Sequence, residues 1–152
     1  MSDNTQTKTN RIATLCNTVL TANADHCQAN CSGFLKQMAA KLGIVINAQL
    51  ANGIVDYLGT APGWQQLGNG TKRASELAGL GYFVVAGLKA DGHGHVAIVV
   101  PGWSPQGFPM GYWGSMRGAA YAGFNRSLSL SFTRTQLKTV SYFATPVATV
   151  SA

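Results

Sequence analysis

Carboxylates are what this sequence has least of. Five Asp plus Glu stand against eleven Lys plus Arg, giving a net charge of +6 on 152 residues. Beyond the N-terminal tail the acids are Asp25, Asp56, Glu76 and Asp91. They are far apart in sequence, so nothing motivates the paired carboxylates of a glycosidase. No glycine-rich loop with its lysine is present to cradle a phosphate. Long apolar runs are also missing. No window has the length of a membrane-spanning helix, and the opening MSDNTQTKTNR has no apolar core of the kind a secretory signal peptide needs. Cysteine is sparse: Cys16, Cys27 and Cys31 are an odd number, so no disulfide framework is built and at least one thiol stays free. A Cys16–Cys27 or a Cys27–Cys31 bridge remains open at this level.

What is present reads as one ordinary domain. Apolar residues make up 46% and charged residues 11%, a globular rather than disordered composition. Residues 1–10 are polar and expected to be a flexible N-terminus, and residues 11–152 a single domain. The basic residues are scattered, with only Lys72 and Arg73 adjacent. A nucleic-acid binder concentrates its charge on one element, so nucleic acid is not expected as a partner. A diffuse positive field instead suits an enzyme that meets an anionic polymer.

Apolar spacing predicts a helix over 11–24 on Ile12, Leu15, Cys16, Val19 and Leu20, then a loop over 23–30. A second helix over 32–42 carries Phe34, Leu35, Met38, Ala39 and Leu42 on one stripe and stops at Gly43. Asn47 is a candidate cap for a third helix reaching Leu58, with Leu50, Ile54 and Leu58 inward. Thr71 is one for a short helix reaching Leu80. From Tyr82 the texture turns β-branched: YFVVAGLKA and HVAIVV, split by ADGHG, read as two paired strands. Further strands are expected at 111–115 and 139–144. Helices first and strands second predict an α+β fold, N-terminal helices packed on an antiparallel sheet.

Two residues stand out for chemistry. Cys31 directly precedes an amphipathic helix, where unpaired N–H groups and the positive end of the helix dipole draw a thiol toward thiolate. Those N–H groups, with Asn30 and Ser32 in the vicinity, are placed to hold an oxyanion or substrate. Ser32 and Gly33 read as small residues leaving room for a substrate backbone. His95 opens the strand HVAIVV and is the candidate base: it takes the thiol proton, the thiolate attacks a carbonyl, and the imidazolium protonates the departing amine. Two alternatives stand beside this. Cys31 could be an inert core thiol in a noncatalytic binding module that keeps the same fold. Cys27, Cys31, His93 and His95 have ligand types suited to zinc, giving a zinc-dependent hydrolase. Trp103, Tyr112 and Trp113, with Tyr112 foremost, could line a cleft or simply fill the core.

The segments Asn30-Cys31-Ser32-Gly33-Phe34, Ala39-Ala40-Lys41-Leu42-Gly43, Val84-Val85-Ala86-Gly87-Leu88-Lys89 and Gly94-His95-Val96-Ala97-Ile98-Val99 resemble, in order and spacing, the type VI secretion amidase effectors of the Tse1 type. Pro109-Met110, Gly114-Ser115 and Gly118-Ala119 extend the likeness, which covers roughly residues 28 to 120. These effectors are compact members of the NlpC-like branch of papain-like cysteine peptidases. The resemblance implies Cys31 as nucleophile, His95 as base, no metal and no cofactor. It implies cleavage of peptidoglycan stem peptides, typically between D-glutamate and meso-diaminopimelate. It also implies synthesis in the cytoplasm without a signal peptide, delivery by the type VI secretion apparatus to the periplasm of rival bacteria, and a cognate immunity protein that plugs the site. No insertion into membrane is expected. The family has cysteines where this chain has Gly111 and Trp113. The group orienting His95 is therefore expected to be the Gly111 carbonyl or the Ser115 side chain.

Overall fold

The computed structural model describes residues 3–147. The first helix, α1 (Asp3–Ala22), buries Ile12, Cys16, Val19 and Leu20, the stripe that the apolar spacing picked out. It starts at Asp3, ahead of the predicted Arg11. The expected loop is instead a π-helical turn over Ala24–Gln28, which buries Cys27. Asn30 then caps α2 (Cys31–Lys41), whose inner side carries Phe34, Leu35, Met38 and Ala39.

The third helix, α3, spans only Ala51–Leu58. Leu50 occupies its N-cap position and is 68% exposed, not inward as expected. Asn47 therefore caps nothing; the chain over 44–50 is extended or bent, and Ile46 rather than Leu50 reaches the core. In α4 (Thr71–Gly79) the cap position falls to Gly70, with no side-chain cap from Thr71.

Six strands form one antiparallel sheet: β1 (Gln65–Gly68), β2 (Phe83–Leu88), β3 (His95–Trp103), β4 (Pro109–Trp113), β5 (Gly123–Ser127) and β6 (Ser141–Thr145). Their spatial order is β1-β6-β2-β3-β4-β5. The central hairpin pairs Leu88 with His95 and Val84 with Val99, as the two β-branched runs predicted. β1 and β5, the two edges, were not expected. QQLG and GFNRS expose most of their side chains, so neither carries an apolar period to betray it. The last strand slots between β1 and β2, a placement that its own residues do not announce.

Both sheet faces are covered. Val85, Val96, Ile98, Val100 and Phe143 pack under α1, α2 and α3. Val84, Ala86, Ala97, Val99 and Tyr142 pack with Ala74, Leu77 and Ala78 of α4 on the other side. Strands buried on two faces need apolar residues at every position, which is why FVVAGL and HVAIVV run without alternation. The predicted helical layer is thus two layers around one sheet.

Two contacts tie α3 to the turn that delivers His95. Asn52 donates from Nδ2 to the Ala90 carbonyl at 2.8 Å and accepts from the Ala90 N–H at 3.1 Å. Lys89 pairs with Asp56 at 2.7 Å, but both side chains are more than half exposed. A surface pair of that kind adds at most about 1 kcal/mol. Asn52, with two part-buried backbone bonds worth about 1 kcal/mol each, is the stronger pin.

Candidate active site

The thiol of Cys31 comes from the first residue of α2 and is 2% exposed. Asn30 sets the helix start: its Oδ1 accepts from the Gly33 N–H at 2.9 Å and from the Ser32 hydroxyl at 3.0 Å. A side-chain cap of this type satisfies donors that the first helical turn leaves unpaired. Two glycines allow the surrounding chain to close in. A Cβ on Gly33 would run into the His26 carbonyl, and one on Gly114, just past β4, into the Cys27 carbonyl. The room beside Cys31 that Ser32 and Gly33 seemed to leave for substrate is therefore taken up by the protein's own backbone. Ser115 completes the clamp by donating its N–H to the Gln28 carbonyl at 2.8 Å.

His95 opens β3, one residue before Val96, whose backbone N–H bonds to the Cys31 sulfur. Both Cys31 and His95 line one cavity of ≈ 580 Å³. The helix-borne thiol and the strand-borne imidazole, 64 positions apart in sequence, share this space. The partner of the imidazole is Ser131: Nε2 of His95 and Oγ of Ser131 are 2.6 Å apart. The ring also packs edge-on against Phe132, centroids 5.0 Å apart. Neither expected orienting group fills that role. Gly111 pairs with Val99, four residues along β3 from His95, too far up the strand to reach it. Ser115 does line the cavity, but its hydroxyl accepts from the Arg117 N–H at 3.2 Å. Ser131 lies past the last of the family-like segments quoted above. It follows a 3-10 turn over Leu128–Leu130, and only packing against the sheet brings it to the histidine. One serine among several in SLSLSFT carries no signal of that.

Burial controls the electrostatics. It pushes the Cys31 thiol up from its ordinary value; bonds from the Val96, Ser32 and Cys31 N–H groups pull it down but do not prevail. Desolvation thus opposes the thiolate that the helix start favours. Burial likewise lowers His95 to about 4, so its imidazole rests neutral. Burial thus favours the uncharged form of both groups.

The remaining candidates separate. His93 is exposed and lines the same cavity, on the turn before β3. Cys16 and Cys27 are free, buried thiols in the core beneath the helices. Among the described residues no three His, Cys, Asp or Glu side chains gather so as to hold a metal ion, so Cys27, Cys31, His93 and His95 are not a zinc ligand set. Trp113 lines the cavity, Tyr112 sits in the core, and Trp103 lies at a different depression beside Lys72. No helix among the described residues is long and apolar enough to cross a membrane.

No protein-family model matches the sequence. A curated protein does: the chain is 36% identical over 124 residues to the peptidoglycan amidase Tse1 of Pseudomonas aeruginosa, a match spanning 80% of this chain and 79% of that one. The order of helices followed by an antiparallel sheet, with a cysteine at a helix start and a histidine at a strand start, is the papain-like, NlpC-like arrangement. By its sequence identity over most of both chains, this protein belongs to the family of the Tse1 peptidoglycan amidase.

Proposed function

We propose that this protein is a cysteine amidase of peptidoglycan, cleaving the stem peptide at the bond between D-glutamate and meso-diaminopimelate. The observation that carries the reading is the buried Cys31 thiol and the His95 imidazole lining one cavity, with the Val96 N–H on the sulfur. With Nε2–H donated to the Ser131 hydroxyl, the free lone pair of His95 is on Nδ1. As the scissile carbonyl approaches, Nδ1 takes the thiol proton and the sulfur adds to the carbonyl carbon. The N–H groups of Cys31 and Ser32, which rest on the sulfur at the positive end of α2, stabilise the oxyanion that forms beside it. The imidazolium then passes its proton to the departing amine, leaving a thioester on Cys31. Water, deprotonated by the same imidazole, adds to the thioester; the C–S bond breaks, the acid leaves and the proton returns to the sulfur.

Two features of this pair fit an amide substrate. Burial keeps both groups neutral until substrate arrives, so the charge pair forms only where charge also develops on the carbonyl. The proton needed by the amine leaving group is carried in by the thiol itself. The diffuse charge of +6 favours approach to the anionic wall. Within the same proposal the chain is one amidase domain over 11–152. It acts as an antibacterial effector made in the cytoplasm, delivered by a type VI secretion apparatus to the periplasm of rival cells and held off in the producer by an immunity protein.

Digestion of purified peptidoglycan fragments, read by mass spectrometry, tests the chemistry. The native chain should release products that end in D-glutamate, and Cys31→Ala should reduce the rate by at least about 10³-fold. Equal cleavage by Cys31→Ala would remove the mechanism, and intact fragments with the native chain would leave a noncatalytic wall-binding module.

A further inference from the structure

The lining of the catalytic cavity includes one arginine, which the mechanism above does not use. Arg117 lines the cavity together with Met116, Tyr121 and Leu130. No Asp or Glu lines it, although a peptide substrate from the wall brings several carboxylates. Among the described residues Arg117 has no ion pair, and the two salt bridges present are Arg73–Glu76 and Lys89–Asp56. Its guanidinium is nevertheless held in place: it lies 4.1 Å from the centroid of the Tyr121 ring. Tyr121 in turn is fastened from below, because its carbonyl accepts from the indole N–H of Trp113 at 3.0 Å, and Trp113 is 2% exposed. The chain between them is a tight pair of turns, Gly118 N–H to the Ser115 carbonyl and Tyr121 N–H to the Gly118 carbonyl, each 3.0 Å.

A cation stacked on an aromatic face keeps its N–H edge free, and that edge is the fork that matches a carboxylate. Positioning in advance lowers the ordering cost when the anion arrives. We infer that Arg117, positioned by Tyr121, binds a free carboxylate of the stem peptide at the cavity mouth and thereby selects substrates that carry it. The inference rests on the amidase reading. Two carboxylates flank the proposed scissile bond: the α-carboxylate of D-glutamate and the side-chain carboxylate of meso-diaminopimelate. Arg117 recognises the shared chemistry of either, and the substrates below tell them apart.

The experiment compares kcat and KM of the native chain, Arg117→Gln, Tyr121→Phe and Tyr121→Ala on three synthetic stem peptides. One has both carboxylates, the second has D-isoglutamine in place of D-glutamate, and the third has L-lysine in place of meso-diaminopimelate. On the native chain, one of the two altered peptides should lose about 10- to 100-fold in kcat/KM, the size of a lost charge-assisted bond. That peptide identifies the carboxylate. Arg117→Gln should show the same loss on the full peptide and no further loss on the altered one, with KM carrying the change. Tyr121→Phe, which keeps the ring, should behave as native, and Tyr121→Ala should fall between. A native-like preference in Arg117→Gln overturns the inference, as does a native chain indifferent to both carboxylates. If the native chain cleaves none of the three, the amidase reading fails instead, a result separable from the first two.

Discussion

At the scale of single residues, the pair at the centre of the site gains from being neutral. A neutral imidazole lowered to about 4 remains available as a base far below the ordinary histidine value of 6.5. In the proposed mechanism the thiol, raised above its ordinary 9.0, keeps the proton that the leaving amine requires. The profile of kcat/KM against pH, which reports the free enzyme, should therefore be broad: an acid limb near 4 and an alkaline limb above 9.0. An acid limb near 6.5 would show that the site holds a solvated histidine instead. Ser131 belongs at this scale too. Ser131→Ala removes the hydroxyl 2.6 Å from Nε2 and frees the ring to choose the wrong tautomer or tilt. We expect kcat to drop by about 10–100-fold with KM little changed, and Ser131→Thr to recover part of it. His95→Ala should abolish turnover, whereas His93→Ala, on the exposed turn, should stay within about threefold of native.

At the scale of elements, the site depends on two ends being brought together, the start of α2 and the start of β3. Backbone closeness makes this possible. The loop before α2 is gripped by Gly114 and Ser115 after β4, and the turn before β3 is gripped by Asn52 of α3. Gly114→Ala would drive a methyl group into the Cys27 carbonyl. Backbone cannot yield as a flexible side chain does, so the variant should lose about 2 kcal/mol or more in denaturant unfolding. It should lose activity as well, because Cys31 shifts with the loop. Asn30→Ala removes the α2 cap and should cost about 1 kcal/mol. A Gly114→Ala chain of native stability would mean that the loop has slack the present packing does not show.

At the scale of the whole molecule, a single sheet is sandwiched between α1–α3 on one side and α4 on the other, with the cavity at the end of the central strands. That burial has a consequence for acid stability. Between pH 6.5 and about 4 the unfolded chain protonates its histidine at position 95 while the folded chain does not. The unfolded state then binds more protons, so stability falls as pH drops through this window, by about 3 kcal/mol from this residue. Unfolding curves at pH 7 and pH 4 measure it. His95→Gln, which has no proton to take up, should flatten the difference.

Much of this was legible in residue order because it depends on local pattern. The stripe in α2, the stop at Gly43 and the β-branched hairpin follow from side-chain period, and Cys31 with His95 follows from position relative to those elements and from family likeness. Other features depended on contacts between distant segments. β1 and β5 have no apolar alternation because they are edges. Leu50 looked inward by spacing but sits where the helix has not yet begun. Gly33 looked like space for a ligand and is space for a neighbouring carbonyl. Helix position favours a thiolate at Cys31, yet burial pushes the other way. The partner of His95 came from Ser131, a residue whose neighbours in sequence say nothing of it. Periodicity and motif are properties of the chain alone. Desolvation, close approach and long-range pairing exist only once the sheet and helices have closed around the site.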